Sequence, residues 1–322
     1  MNSKPQHEIA AEMATVPTAK VLRTAIDRIN EIILGKDRSV RLALCCLIAR
    51  GHLLIEDVPG VGKTTLAHTL AAVLGLDFKR IQFTSDLLPA DIIGVSIFDA
   101  ERNTFRFHRG PIFSSLLLAD EINRATPKAQ SALLEAMQER QVSAEGVTLP
   151  LPELFFVIGT QNPQHQIGTF PLPESQLDRF LMRIGIGYPD HDAERKLLEG
   201  VDRRTLLNSV EPLLEESTLR RVQRKADVIR LSPALLDYIQ ALLHATRSAP
   251  WLVHGLSPRA GLALSHAARA WALLEDRDTV LPEDVQAVAP AVFGHRLQYT
   301  EDTATDAGLG LVDRLIRSVP IP

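Results

Sequence analysis

Between Gly51 and Leu70 the chain reads GHLLIEDVPGVGKTTLAHTL, in which Gly60, Gly62, Lys63 and Thr64 fall where a phosphate-binding loop needs them. That pattern opens on a glycine, and this chain carries Asp57 there instead. The loop follows the apolar run HLLIED and leads into a helical stretch, which is the strand–loop–helix setting such a loop requires. In that setting the residues Pro59, Gly60, Val61, Gly62, Lys63, Thr64 and Thr65 can wrap a triphosphate. Main-chain N–H groups converge on phosphate oxygens, and the positive end of the following helix adds to the attraction. Gly60 and Gly62 let the backbone come close, Lys63 reaches the β- and γ-phosphates, and the Thr64 hydroxyl binds Mg²⁺. A carboxylate about 6 Å from a phosphate charge costs about 3 kcal/mol at an effective dielectric of about 20. The Asp57 side chain is therefore expected to point off the loop or to be offset by a cation.

Further residues turn a binding loop into a site for hydrolysis. The run SLLLADEINRA ends an apolar strand with Asp120 and Glu121. At a strand's C-terminal edge this pair delivers Asp120 to a metal shell and Glu121 to an attacking water, the two positions phosphoryl transfer needs filled. The run LFFVIGTQNP ends in Asn162, a polar side chain at the tip of a neighbouring strand that can hold the same water. Two arginines stand at domain edges. Arg179 in PESQLDRFL closes a short helix before the last strand, and Arg259 in GLSPRAGLAL opens a helix with Ser257 as N-cap and Pro258 at its first position. Arginines are mostly surface charges, and it is their placement that makes these two candidates for contact with a nucleotide.

The elements that must position these residues alternate. Apolar residues recur at helical spacing from Thr18 to Arg50, with Gly35 dividing the stretch into two helices. Short apolar runs at HLLIED, FKRIQF, SLLLADE, LFFVIGT and LMRIGIGY read as five buried strands separated by helices, a parallel sheet covered on both faces. Two segments interrupt the alternation: Gly94 to Phe113 reads as a hairpin turning at Glu101 to Asn103, and Gln141 to Glu153 as a smaller hairpin or loop. Beyond Pro189 only helical patterns remain. The expected organisation is a flexible arm over residues 1–17, a nucleotide-binding α/β domain over 18–189 and a helical lid domain over 190–322.

The bulk properties exclude several classes. A chain of 322 residues that is 45% hydrophobic and 23% charged has a globular composition, and its net charge of −4 gives no general attraction to nucleic acid or anionic membrane. The polar N-terminus lacks the apolar core of a secretory leader, and no apolar run has the roughly 20 residues that span a bilayer. The two cysteines, Cys45 and Cys46, adjoin inside LALCCLIA and read as buried thiols on a helix, with no zinc spacing. A cytoplasmic protein is expected.

Together EDVPGVGKT, QFTSDLLPADIIG, GPIFSSLLLADEINRATPKAQSALLEAMQE, GTQNP, GTFPLPESQLDRFL and SPRA make the chain resemble the MoxR family of AAA+ ATPases. The resemblance implies an AAA+ core with a five-stranded parallel sheet flanked by helices, followed by an all-helical C-terminal lid. It implies Walker A roles for Gly60, Gly62, Lys63 and Thr64, and Walker B roles for Asp120 and Glu121, with Glu121 as catalytic base. Asn162 would be sensor 1, and Arg259 sensor 2, reaching ATP from the lid. Arg179 would be an arginine finger acting on the nucleotide of the next subunit. ATP and Mg²⁺ are the implied cofactors and a hexameric ring the implied assembly. Implied clients are partner proteins that are remodelled or activated, among them proteins with a von Willebrand factor A domain, with metal-cofactor insertion a recurring theme.

Two other readings remain. Arg102, Arg106, His108 and Arg109 could line the basic pore of a DNA-acting motor, although Asp99 and Glu101 share that hairpin and a solvated face is the plainer account. Nucleotide occupancy could instead drive a conformational switch with slow turnover.

Overall fold

The structure is a computed structural model describing residues 18–144, 146–162, 169–200, 203–300 and 310–321, so the arm expected over 1–17 lies outside the described residues. Helix α1 (Thr18–Ile32) buries Val21, Leu22, Ala25, Ile26, Ile29 and Ile32 along one face. Gly35, at φ +69°, turns the chain where a Cβ would stand 2.9 Å from that of Ala193. Helix α2 (Asp37–Ile48) follows and carries Cys45 and Cys46, both buried and unbridged. Burial pushes both thiols above their ordinary range.

The alternating part then runs β1 (Leu53–Glu56), α3 (Lys63–Leu74), β2 (Phe78–Gln82), α4 (Pro89–Ile93), β3 (Gly94–Asp99), β4 (Thr104–Arg109), β5 (Leu116–Asp120), α5 (Pro127–Glu139), β6 (Gln141–Ala144), β7 (Val147–Pro150), β8 (Phe156–Gln161), α6 (Glu174–Leu177) and β9 (Met182–Ile184). Five strands form one parallel sheet in the order β2-β5-β8-β1-β9, and β3–β4 and β6–β7 are antiparallel hairpins outside it. Successive side chains leave the sheet on opposite faces. Leu53, Ile55, Leu116, Leu118, Phe156 and Ile158 join α1, α2 and α3 in one apolar cluster. Leu54, Leu117, Ala119 and Val157 join Leu133 and Leu134 of α5 in another. With both faces covered, β5 and β8 are buried throughout and read as unbroken apolar runs.

The remaining helices are α7 (His191–Glu199), α8 (Arg203–Asn208), α9 (Glu216–Asp227), α10 (Pro233–Ser248), α11 (Pro258–Leu274), α12 (Pro282–Phe293) and α13 (Gly310–Ser318). Every described element beyond β9 is a helix. Asp190 caps α7 by accepting from Ala193 N at 2.7 Å, and Ser232 caps α10 by accepting from Leu235 N at 3.2 Å. Ser257 holds the N-cap position of α11, but its side chain makes no capping bond; Pro258 at the first turn starts that helix. Apolar residues of α9 to α12 continue the cluster that covers one face of the sheet. Among the described residues no helix is long and apolar enough to cross a membrane.

Candidate nucleotide site

The carboxyl ends of β1, β5 and β8 open onto one cleft, lined by Pro59, Gly60, Gly62, Lys63, Thr64, Thr65, Asp120, Glu121 and Asn162. Open α/β sheets carry ligands at that edge. The loop after β1 turns through Gly60 at φ +86° and Gly62 at φ +95°, conformations a side chain would strain, and no atom lies within 4 Å of where a Cβ would project. Gly62 caps α3, so the helix begins at Lys63 with its unpaired N–H groups at the cleft. The Val61 side chain packs on the apolar core, while its main chain stays in the loop between Gly60 and Gly62.

Lys63 is buried, and its ammonium donates to Asn162 Oδ1 at 2.9 Å, to Val58 O at 3.3 Å and to Asp57 O. Burial lowers its pKa, opposed by the carboxylates of Asp57, Asp120 and Glu121. Asp57 itself turns its carboxylate away from the cleft. It accepts from Val58 N at 2.8 Å, Ile186 N at 2.7 Å and Gly187 N at 2.6 Å.

The two acids at the end of β5 are held differently. Asp120 Oδ1 accepts from the Thr160 hydroxyl at 2.6 Å, while Oδ2 faces Thr64 Oγ1 at 3.4 Å and the Arg80 guanidinium at 2.7 Å. Glu121 sits in the left-handed region at φ +55°. That unusual backbone aims its carboxylate into the cleft, with Oε1 3.4 Å from Asn162 Nδ2 and Oε2 accepting from Gln82 at 2.9 Å and Arg124 at 3.0 Å. Its main-chain N–H donates to Thr160 Oγ1 at 2.9 Å. The Thr64 hydroxyl and the Asp120 carboxylate, two hard oxygens side by side, fit a magnesium ion that completes its shell with phosphate and water.

Thr160, Arg80 and Gln82 escaped the sequence reading. Gln82 pairs with Asp120 across β2 and β5, and Arg80 lies two residues before it on the same face. Polar residues alternating in FKRIQF were the available signal.

Arg179 and Arg259 do not line this cleft. Both line a second one, between the segment following α6 and helix α11. There Asp178 Oδ2 lies 3.6 Å from Arg259 and its Oδ1 accepts from Arg296 at 2.7 Å. The buried Arg296 guanidinium, from the turn after α12, also donates to Phe180 O at 2.8 Å and Leu181 O at 3.1 Å. Arg259, expected to reach the nucleotide from the lid, is thus placed beside Arg179.

Comparison with known proteins agrees with this geometry. The ATPase family associated with various cellular activities (AAA) matches residues 52–182, and the AAA lid domain matches residues 244–310. Chaperone MoxR1 of Mycobacterium tuberculosis is 41% identical over 334 residues, covering 100% of this chain and 88% of that protein. Protein MoxR of Paracoccus denitrificans is 32% identical, covering 93% of this chain and 96% of its own. The uncharacterized protein YeaC of Bacillus subtilis is 42% identical over 94% of this chain and 95% of that protein. A crystal structure of a protein from Cytophaga hutchinsonii superposes with a TM-score of 0.88 at 36% identity, covering 97% and 98% of the two chains. Phosphate loop, strand-end acids and helical lid converge on one assignment: the chain belongs to the MoxR family of AAA+ ATPases.

Proposed function

We propose that this chain hydrolyses ATP to ADP and phosphate in an assembled ring, a hexamer by its family, and that turnover remodels or activates partner proteins. The observation that carries the reading is the meeting of Lys63, Thr64, Asp120, Glu121 and Asn162 in one cleft at the sheet's carboxyl edge. Lys63 and the N–H groups opening α3 bind the phosphates. Glu121, oriented by Gln82, Arg124 and Asn162, polarises the attacking water as general base, and Asn162 helps position that water. Thr64 and Asp120 would hold magnesium, which would neutralise phosphate charge. Arg179 acts on the nucleotide of a neighbouring subunit, and Arg259, which lines the same cleft, reaches a nucleotide from the lid.

The partner-binding role is supported by the relative named Chaperone MoxR1 and by the β3–β4 hairpin. That hairpin exposes Val95, Ile97, Phe98 and Phe105, with the two phenyl rings edge to face at 5.3 Å. Such an apolar patch suits a protein client. A basic nucleic-acid groove is less well supported, because Arg102 lies 3.9 Å from Asp99 and the Arg109 guanidinium stands 5.1 Å over the Phe113 ring.

Phosphate release and ATP binding, measured side by side, test the reading. Glu121→Gln should keep ATP affinity while losing about 10²- to 10⁴-fold in turnover, the usual contribution of a general base. A Glu121→Gln chain that hydrolyses ATP at the native rate overturns the base assignment. A native chain that neither binds ATP nor releases phosphate in any assembly state overturns the function.

A further inference from the structure

The carboxylate that opens the phosphate loop reaches the chain's passage into the lid. Ile186 and Gly187, whose N–H groups Asp57 Oδ2 accepts at 2.7 and 2.6 Å, lie between β9 and α7. Gly187 takes φ +69°, a left-handed pivot that a side chain would disfavour. Ser39 Oγ holds Gly185 O at 3.3 Å and Lys36 Nζ holds Tyr188 O, so the segment is fastened at three points. Of these fasteners only Asp57 belongs to the phosphate loop. Its own N–H donates to Gln161 O at 3.2 Å, at the end of β8 and one residue before Asn162.

The main chain at the same point carries Lys63. The Asp57 and Val58 carbonyls and Asn162 Oδ1 take the ammonium's donors, and an ammonium has only three. A phosphate gripped by Lys63 must displace at least one of these acceptors, and two of the three lie on the 57–58 stretch whose side chain holds the linker. Glycine, the residue the general pattern calls for, would leave Ile186 and Gly187 without this acceptor.

We propose that Asp57 is a positioning residue that transmits nucleotide occupancy from the phosphate loop to the lid: its carbonyl answers to Lys63, and its carboxylate grips the linker at Ile186 and Gly187. The inference rests on the reading of the loop as the ATP site.

Asp57→Gly completes the general phosphate-loop pattern, which makes it a sharp test. Dyes placed through Lys128→Cys on α5 and Asp237→Cys on α10 report lid movement by energy transfer. Otherwise native protein should change transfer efficiency on adding Mg-ATP. Asp57→Gly should bind ATP within about threefold of native and keep KM, lose the transfer change, and turn over about tenfold more slowly. Asp57→Asn, which keeps the volume and one acceptor oxygen, should retain part of the response. Hydrogen exchange on the unlabelled native chain gives a second measurement that needs no Asp57 variant: protection of the 186 and 187 amides should change with Mg-ATP. The proposal is overturned by any of three outcomes: Asp57→Gly responding and turning over like native, Asp57→Gly losing ATP affinity in proportion to turnover, or native chain that binds ATP with unchanged transfer and unchanged exchange at 186 and 187. A native chain that binds no ATP instead defeats the underlying functional reading, and the binding control shows this separately.

Discussion

Thr160 joins the two acids of the site. Its buried hydroxyl donates to Asp120 Oδ1 at 2.6 Å and accepts from Glu121 N at 2.9 Å, so one oxygen sets both the Asp120 carboxylate and the backbone turn at Glu121. Valine there has the shape of threonine without the hydroxyl, leaving the buried Asp120 Oδ1 without its donor and the part-buried Glu121 N–H without its acceptor, at a cost of about 1–3 kcal/mol. Thr160→Val should lower stability by that amount and slow phosphate release more than it weakens ATP binding, because the ground-state grip lies on Lys63 and the loop. Thr160→Ser should restore both, since it returns the oxygen. Equal turnover for the valine and serine variants would show that the hydroxyl orients nothing. Thr160 was not legible in GTQNP, where the eye goes to Asn162, because its importance arises only when β5 and β8 lie side by side. Lys63, Asp120 and Glu121 were legible because a phosphate loop and a strand ending in two acids constrain residue type at fixed local spacing. The partner of Asp57 was not, since Ile186 and Gly187 are 129 and 130 positions away.

At the scale of elements, His52 fastens strand to helix. Its Nδ1 accepts from Val157 N of β8 at 3.0 Å, which leaves Nε2–H to face Met137 O of α5 at 3.3 Å. Burial, with the Arg140 charge adding to it, lowers the imidazole pKa to about 3. The unfolded chain takes up a proton near pH 6.5 while the native chain refuses it until about pH 3, so stability falls as pH drops through that window. Between pH 7 and pH 5 this one group removes about 2 kcal/mol. His295, buried against Phe180 O, is shifted the same way and adds to the trend. His52→Leu should be about 1–3 kcal/mol less stable than native at pH 7, through the orphaned Val157 N–H, yet lose less on going to pH 5. Urea unfolding at the two pH values measures this, and identical acid losses for the two proteins would refute the assignment. Strands β5 and β8 were legible because strands covered on both faces are unbroken apolar runs, whereas β2, mostly exposed, was marked only by its apolar ends and Ile81. The packing of the lid was not, since it depends on Arg296 meeting Asp178 and the 180–181 carbonyls across 115 to 118 positions.

For the whole molecule, the separation of the two clefts has the largest consequence. The loop with Lys63, Asp120 and Glu121 lines one, and Arg179 with Arg259 the other. Charge on the transferring phosphoryl group is stabilised by an arginine to the extent of about 10³- to 10⁵-fold in rate, about 4 to 7 kcal/mol. If that arginine comes from a neighbour, each catalytic unit is assembled from two subunits, and defects in the two clefts must complement one another. Lys63→Ala should abolish ATP binding but leave a subunit its arginines; Arg179→Ala should remove an arginine but leave the subunit's own ATP site intact. Each variant alone should release phosphate at less than about a hundredth of the native rate. Mixed and allowed to exchange subunits, they should regain activity at every junction where a Lys63→Ala subunit presents Arg179 to an Arg179→Ala subunit holding ATP. The recovered rate should rise with total protein concentration, since dilution separates the halves of each site. Silence of the mixture, with subunit exchange verified by size, would place Arg179 outside the neighbour's nucleotide. High activity in Arg179→Ala alone would remove it from catalysis altogether.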